Sequence, residues 1–231
     1  MQCCHDPGIA RHFGAGSAAE ELARYRRRGP LPTTRILVNA IRASLDGGGT
    51  LLDIGGGIGA VHHELLEDGI RSATSVDISA ASLAAAAEEA ARRGHTERLR
   101  LLAGDFVEFA PGLDGADVVT LDRVICCYPD MERLVSLSVA KAGRLYGVVY
   151  PRDVWWVRLA LTVENLIRQL HGSSFRAFVH PPRAIIALIR RAGLEPNVAR
   201  RTFTWEVVVC HRPSGGSDPV ADRAPSRAGV R

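Results

Sequence analysis

Lysine is almost missing from this chain: Lys141 is the only one, so the 29 basic residues are nearly all arginine. A tyrosine four residues ahead of a lysine, the pair that short-chain dehydrogenases use, is thereby excluded, because position 137 is Leu137. The arginine bias reads as base composition of the gene more than as selection at any one site. No run of about eighteen uncharged apolar residues occurs, which argues against a membrane-spanning helix. Met1 to Pro7 lacks the basic start and apolar core of a secretory signal, so a cytoplasmic location is the default expectation. The five cysteines include two adjacent pairs, Cys3-Cys4 and Cys126-Cys127, and no CxxC. Adjacent residues rarely bridge, so reduced thiols are expected. Cys3, Cys4 and His5 would need Cys126, Cys127 or His180 to complete a metal site, and no metal is expected.

What is present suits one well-buried domain with extensions: 231 residues, 46% of them hydrophobic, and a formal net charge of +4. The basic residues are spread out except for Arg24-Tyr25-Arg26-Arg27-Arg28. Such a cluster can hold phosphates but is more often a solvated helix face, and nothing else supports nucleic-acid binding. Residues 17 to 45 read as helices broken at Gly29-Pro30-Leu31-Pro32, with Thr33 or Thr34 as the second N-cap. Helices follow near Ala60, with Gly69 as stop, and after Ser79 as far as Arg92-Arg93-Gly94. Strands are expected at Thr50 to Ile54, Leu99 to Ala103, Val118 to Leu121 and Leu145 to Val149, with a helix from about Met131 to Ala142. Helices at 154–170 and 182–192 then lead to a final strand pair, 194–200 and 203–211. This alternation predicts an α/β fold, a doubly wound, mostly parallel sheet closed by a carboxyl-terminal antiparallel pair. Residues 1–45 form the amino-terminal helical extension, 46–212 the main domain, and 213–231 a tail without periodicity, expected to be disordered.

The ligand signal lies at Leu51-Leu52-Asp53-Ile54-Gly55-Gly56-Gly57-Ile58-Gly59, where a buried strand runs into glycines that let a ligand lie against backbone. Gly55-x-Gly57-x-x-Ala60, with Asp77 downstream, also satisfies a dinucleotide fingerprint loosely. A carboxylate at Asp53 would repel a pyrophosphate and suit a ligand carrying an ammonium and a sulfonium.

Asp53 to Gly59 resembles the first motif of the class I S-adenosylmethionine-dependent methyltransferases, and three later segments fall in that family's order. Ser75-Val76-Asp77-Ile78 resembles its second strand end, which implies Asp77 on the ribose and Ile78 against adenine. Gly104-Asp105-Phe106 resembles the third-strand motif, which implies contact with the adenine amino group. Asp117 to Asp122 resembles the fourth strand, which implies that Asp122 ends beside the transferred methyl group. Asp117 itself starts that strand, so a turn or capping role is expected there. The resemblance runs from about Thr33 to His211. It implies a seven-stranded Rossmann-like sheet, an amino-terminal helix over the cofactor, and the cofactor residues Asp53, Gly55, Gly56, Gly57, Gly59, Asp77, Ile78, Gly104, Asp105, Phe106 and Asp122.

Acceptor-side candidates lie after the fourth and fifth strands, at the carboxyl edge of the sheet. His180 is the candidate general base because it titrates near neutrality and sits in a loop after the substrate-side helix; a helix cap or backbone partner is its alternative role. Tyr128 is the second catalytic candidate. Arg123 and Arg152 can grip a carboxylate or phosphate or pair with Asp130 and Asp153. Tyr150 and Trp155, or its neighbour Trp156, complete a substrate set that favours an aromatic acceptor. The fourth-strand motif lacks the Asp/Asn-Pro-Pro-Tyr of adenine amino methyltransferases. Cys126 and Cys127 lack the preceding proline of a cytosine carbon-5 nucleophile, and the paired-glutamate loop of protein arginine methyltransferases is absent. What remains is similar to the porphyrin and quinone-precursor branch, which implies a small, aromatic or tetrapyrrole-like acceptor. An RNA methyltransferase using Arg24 to Arg28 and a non-catalytic cofactor-binding regulator are the alternatives. The oligomeric state is not legible.

Overall fold

A computed structural model describes residues 14–45 and 47–213. The expectations for Cys3, Cys4, His5 and residues 214–231 lie outside them. Strands β1 (Thr50–Ile54), β2 (Ser72–Asp77), β3 (Leu99–Ala103), β4 (Ala116–Asp122), β5 (Ala142–Pro151), β6 (Glu195–Arg201) and β7 (Trp205–His211) form one sheet in the order β3-β2-β1-β4-β5-β7-β6. Only β7 runs against its neighbours, pairing antiparallel with β5 and with β6. The chain reverses its direction of winding between β1 and β4, and open α/β sheets hold ligands outside the carboxyl ends of the strands at that point.

The apolar residues of β1, β4 and β5 sort by alternation onto two faces. Leu52, Val119 and Val148 face a core shared with helices α6 (Met131–Val139) and α8 (Pro182–Arg191). Leu51, Val118, Leu145 and Val149 face α2 (Pro32–Ser44) and α3 (Ala60–Glu67). The side chains of α2 reach the sheet because Gly147 of β5 has none. A Cβ there would stand 2.7 Å from Leu37 Cδ1 and 3.3 Å from Ile41 Cδ1.

Helix α1 (Ala15–Arg28) packs through Ala18, Leu22 and Tyr25 on Ile58 and on α4 (Ala80–Arg93). The Tyr25 hydroxyl donates to Glu64 Oε1 of α3 at 2.7 Å, tying the amino-terminal helix to the segment behind the glycine loop. Arg26 donates to Glu89 at 2.8 Å and lies 2.8 Å from Glu88, and Arg92 and Arg93 also hold Glu89. These arginines hold the Glu89 carboxyl far below the usual range, and Arg92 contributes most. Arg24 donates to the Gly29 carbonyl. Part of the Arg24 to Arg28 cluster is thus committed to the protein's own groups, which weakens the case for a phosphate clamp.

Ser79 caps α4 by accepting from Ser82 N, and Gly94 closes it in the left-handed conformation, both as the sequence predicts. The start of α2 differs from expectation. Leu31 is the N-cap and Pro32 the first helical residue, with no side-chain cap. Thr34 is instead free to reach the fourth strand. Asp117 also differs: it accepts from Thr50 N at 2.8 Å and Thr50 Oγ1 at 3.1 Å, joining the starts of β1 and β4. No described helix is long and apolar enough to cross a membrane.

Candidate functional site

The carboxyl ends of β1, β2 and β4 open into a cavity of about 820 Å³. Its floor is the glycine loop, and Gly55 is there for two reasons. Its φ of 63° lies in the left-handed region, and a Cβ would stand 2.4 Å from Val124 Cγ2. Gly57 lines the cavity too, and a Cβ on it would meet nothing within 4 Å. The backbone at Gly57 therefore faces open space where a ligand can lie directly on it. Gly56 also lines the cavity, whereas Gly59 turns away from it towards His62 and His63.

Asp77 Oδ2 accepts from Gly57 N and Oδ1 from Ser79 N, each at 2.8 Å, so the loop and the β2 end are fixed to each other. Burial raises the Asp77 pKa, opposed by those two hydrogen bonds. Ile78, beside it, is exposed at the cavity wall. Gly104, Asp105 and Phe106 follow on the next edge. Asp105 caps a short helix, α5 (Phe106–Phe109), through Val107 N at 2.9 Å, and its Oδ2 accepts from the Tyr128 hydroxyl at 3.0 Å. A carboxylate, an apolar side chain and a second polar edge around bare backbone are groups that could hold the ribose and purine of S-adenosylmethionine.

Asp53 behaves differently from the sequence expectation. It lines the cavity, but its carboxylate is buried and already engaged. Oδ1 accepts from Thr120 Oγ1 at 2.8 Å and Oδ2 from His62 Nδ1 at 2.9 Å. The charge thus supports the loop from beneath, and does not stand at the loop mouth. Asp122, at the end of β4, accepts from Thr34 Oγ1 of α2 through Oδ2. Its Oδ1 is buried without a hydrogen-bond partner.

Beyond Asp122 the cavity continues under α7 (Trp155–Leu170). Trp156, Ala160, Glu164 and Arg168 follow at steps of four along one face of that helix and line the space, joined by Phe175 and Trp205. Arg168 pairs with Glu164 and lies over the Phe175 ring, 4.9 Å from its centre. Trp156 Nε1 is buried without a partner. Arg123, Cys126, Cys127 and Tyr128 form the wall between the two lobes. The Cys126 and Cys127 thiols share a hydrogen bond at 3.7 Å, which with burial pushes the Cys126 pKa up and, against burial, holds that of Cys127 down.

Four acceptor-side expectations need correction. Trp155 is 71% exposed on the outward face of α7, and Trp156 takes the cavity position. Tyr150 is 1% exposed within the core between the sheet and its covering helices, where burial raises its pKa. Arg152 donates to the carbonyls of Thr202 and Phe203 and lies over the Trp156 ring, bracing the β6–β7 turn outside the cavity lining. His180 is also outside the lining. Its Nε2 donates to the Tyr128 carbonyl at 3.0 Å, its ring stacks on Phe178, and burial lowers its pKa. Held on that carbonyl, His180 fastens the 126–128 wall and stands outside the cavity where a proton would be taken. The sequence reading missed Glu21, Glu164, Arg168 and Phe175. The four-residue spacing from Trp156 to Arg168 was the available signal for two of them. Among the described residues no group of three or more His, Cys, Asp or Glu side chains is arranged to hold a metal ion.

Residues 52–142 match the profile of a family described as methyltransferase domain. No curated protein matches the chain. Among solved structures, the magnesium protoporphyrin IX methyltransferase of Synechocystis PCC 6803 with bound SAH aligns with a TM-score of 0.64 at 18% identity, over 78% of this chain and 82% of its own. An O-methyltransferase family protein from Burkholderia thailandensis aligns with a TM-score of 0.61 at 16% identity, over 80% and 56%. An O-methyltransferase family 2 protein from Planctomyces limnophilus in complex with apigenin aligns with a TM-score of 0.58 at 19% identity, over 86% and 62%. At these identities the likeness is one of fold.

Proposed function

We propose that this chain, whose residues 52–142 match a methyltransferase domain, takes S-adenosylmethionine as methyl donor and transfers the methyl group to a small, aromatic acceptor held under α7. The observation that carries this reading is the cavity. One space of about 820 Å³ joins the glycine loop to a lobe walled by Trp156, Phe175 and Trp205. Ligand pockets run to roughly 300–1,000 Å³, so this one is at the upper end and accommodates a ring system beside the donor. The flat walls suit stacking on a planar molecule. The unpartnered Trp156 N–H offers a hydrogen bond to an oxygen on it. The fold neighbours named for a porphyrin and for apigenin, both flat ring systems, support the same class.

Bound S-adenosylmethionine supplies an electrophilic methyl group on a sulfonium. The protein's part is to orient the acceptor and to exclude water. Gly55, Gly56, Gly57 and Asp77 hold the donor side, Asp105, Phe106 and Ile78 the purine, and Asp122 with Arg123 the junction between lobes. Glu164 and Arg168, paired with each other, give the far end of the acceptor lobe a polar terminus.

A screen of purified protein with S-adenosylmethionine against cell extract, read by mass spectrometry, tests the proposal. A gain of one methyl mass on an aromatic small molecule is expected. Methylation of RNA alone, in a salt-sensitive manner lost on neutralising Arg24 to Arg28, would replace it with the nucleic-acid reading.

A further inference from the structure

Asp122 and Arg123 form an ion pair at the junction of the two lobes, and its two facing atoms are buried without a hydrogen bond. Asp122 has a side chain only 10% exposed, and its Oδ1 has no hydrogen-bond partner. Arg123 Nε lies 3.5 Å from that oxygen and is also buried without one. Buried polar groups are nearly always satisfied, and an exception at a cavity wall calls for a ligand atom. The other buried carboxylates of the wall do not qualify. Asp53, Asp77 and Asp105 each have both oxygens accepting hydrogen bonds.

The local backbone is held for this geometry at a cost. Arg123 is the one non-glycine residue at positive φ among the described residues, at 61°. Such a conformation costs on the order of 1–3 kcal/mol and collects at functional sites. Three contacts fix it: Arg123 N donates to the Val149 carbonyl at 3.1 Å, and the thiols of Cys126 and Cys127 point at the Arg123 carbonyl. Thr34 pins the opposite oxygen of Asp122 from α2, so Oδ1, which faces Arg123, is the oxygen left without a hydrogen bond.

We propose that Asp122 is the proton acceptor of the transfer, with Oδ1 as the accepting atom and Arg123 as its positioning residue. This rests on the methyl-transfer reading above. The nucleophilic atom of the acceptor forms its bond to the methyl carbon while its proton passes to Asp122 Oδ1. The electron pair of the broken carbon–sulfur bond stays on sulfur, so sulfonium and carboxylate are both neutralised and the charges balance. Burial raises the proton affinity of Asp122, opposed by Arg123 and the Thr34 hydrogen bond, and a more basic carboxylate is a better proton acceptor. The acceptor class follows: a hydroxyl or amine that still carries its proton at neutral pH, since an ionised carboxylate acceptor would need no such group.

The Asp122→Asn variant tests this, because the amide oxygen still receives the Thr34 hydroxyl. Calorimetry with S-adenosylhomocysteine is expected to give an affinity within about threefold of the unaltered protein. Turnover on an acceptor from the extract screen is expected to fall roughly 10²–10⁴-fold, and the acid limb of its pH profile is expected to vanish. Carbon-detected NMR of the ligand-free protein supplies a reading independent of turnover. One carboxyl signal absent from Asp122→Asn is expected to titrate above the ordinary aspartate range. Turnover equal to the unaltered protein, or a signal titrating at or below that range, overturns the assignment. Loss of S-adenosylhomocysteine binding with Asp122→Asn would instead make Asp122 a donor ligand. If the unaltered protein methylates no small molecule, the methyl-transfer reading fails first, and the NMR result still decides whether Asp122 has the required basicity.

Discussion

Below neutral pH this protein is expected to lose stability through a buried histidine behind the glycine loop. His63 of α3 is fully buried, with its Nδ1 3.2 Å from His95 Nδ1 and its Nε2 without a partner. Burial, and after it the neighbouring His62, Arg93 and His95, push its pKa down to about 2. In the unfolded chain the same ring titrates near ~6.5. Below that pH the unfolded state therefore binds a proton that the folded state refuses. The contribution is fully present above the unfolded value and is lost as pH falls, at about 1.4 kcal/mol per pH unit. Between pH 7.5 and 5.0 the loss from His63 comes to about 2 kcal/mol, a large share of a typical 5–15 kcal/mol. Urea unfolding at the two pH values, on the unaltered protein and on His63→Asn, measures it. The variant should be less sensitive to acid by about 2 kcal/mol over that interval. His95 and His180, also lowered by burial, act in the same direction. Asp77 and Asp122, raised by burial, act oppositely. His180, Asp77 and Asp122 do not touch His63 and cancel in the difference, whereas His95, in contact with His63, enters it together with His63. Equal pH dependence in the two proteins would refute the reasoning.

Asp77→Ala removes two hydrogen bonds to a carboxylate that organise the donor side, and S-adenosylhomocysteine affinity should fall roughly ten- to a hundredfold by calorimetry, following about 1.5–3 kcal/mol for such bonds; unchanged binding would contradict the assigned donor site. Gly55→Ala should cost about 1–3 kcal/mol in chemical denaturation, because it puts a Cβ at positive φ against Val124. His180→Ala should lower the melting temperature yet leave the pH profile of turnover unmoved, since its ring serves the Tyr128 carbonyl; a displaced profile would restore it as base. Trp156→Ala should raise the acceptor KM, whereas Trp155→Ala, on the outer face of the same helix, should not.

The mostly parallel sheet with its antiparallel end, and most helix ends, were legible because each rests on local chemistry. A glycine after a buried strand, a serine at a helix start and a glycine at a helix end each answer to backbone geometry within a few residues. The acceptor side was not legible in the same way. Whether Trp155 or Trp156 faces the cavity depends on the rotation of α7, which tertiary packing decides. His180 has the chemistry of a base, but its neighbour in space, the Tyr128 carbonyl, lies 52 residues away. The charge of Asp53 was legible while its partners, Thr120 and His62, were not. Thr34 appeared as a helix cap because that is what a threonine near a helix start usually does. Its engagement with Asp122 spans 88 residues and has no sequence signature.

The packing of α2 has a consequence for the order in which the protein assembles. Leu37 and Ile41 rest against Gly147 of β5 and share a core with Val207 and Val209 of β7, the last strand among the described residues. A segment early in this sequence thus completes its seat only when one much further along has formed, and such remote pairing slows folding. Until β7 inserts between β5 and β6, the seat of α2 that holds Thr34 at Asp122 is incomplete. The helix that contacts the reaction centre is therefore expected to dock late, and a refolding experiment should show strand signal returning before S-adenosylhomocysteine binding.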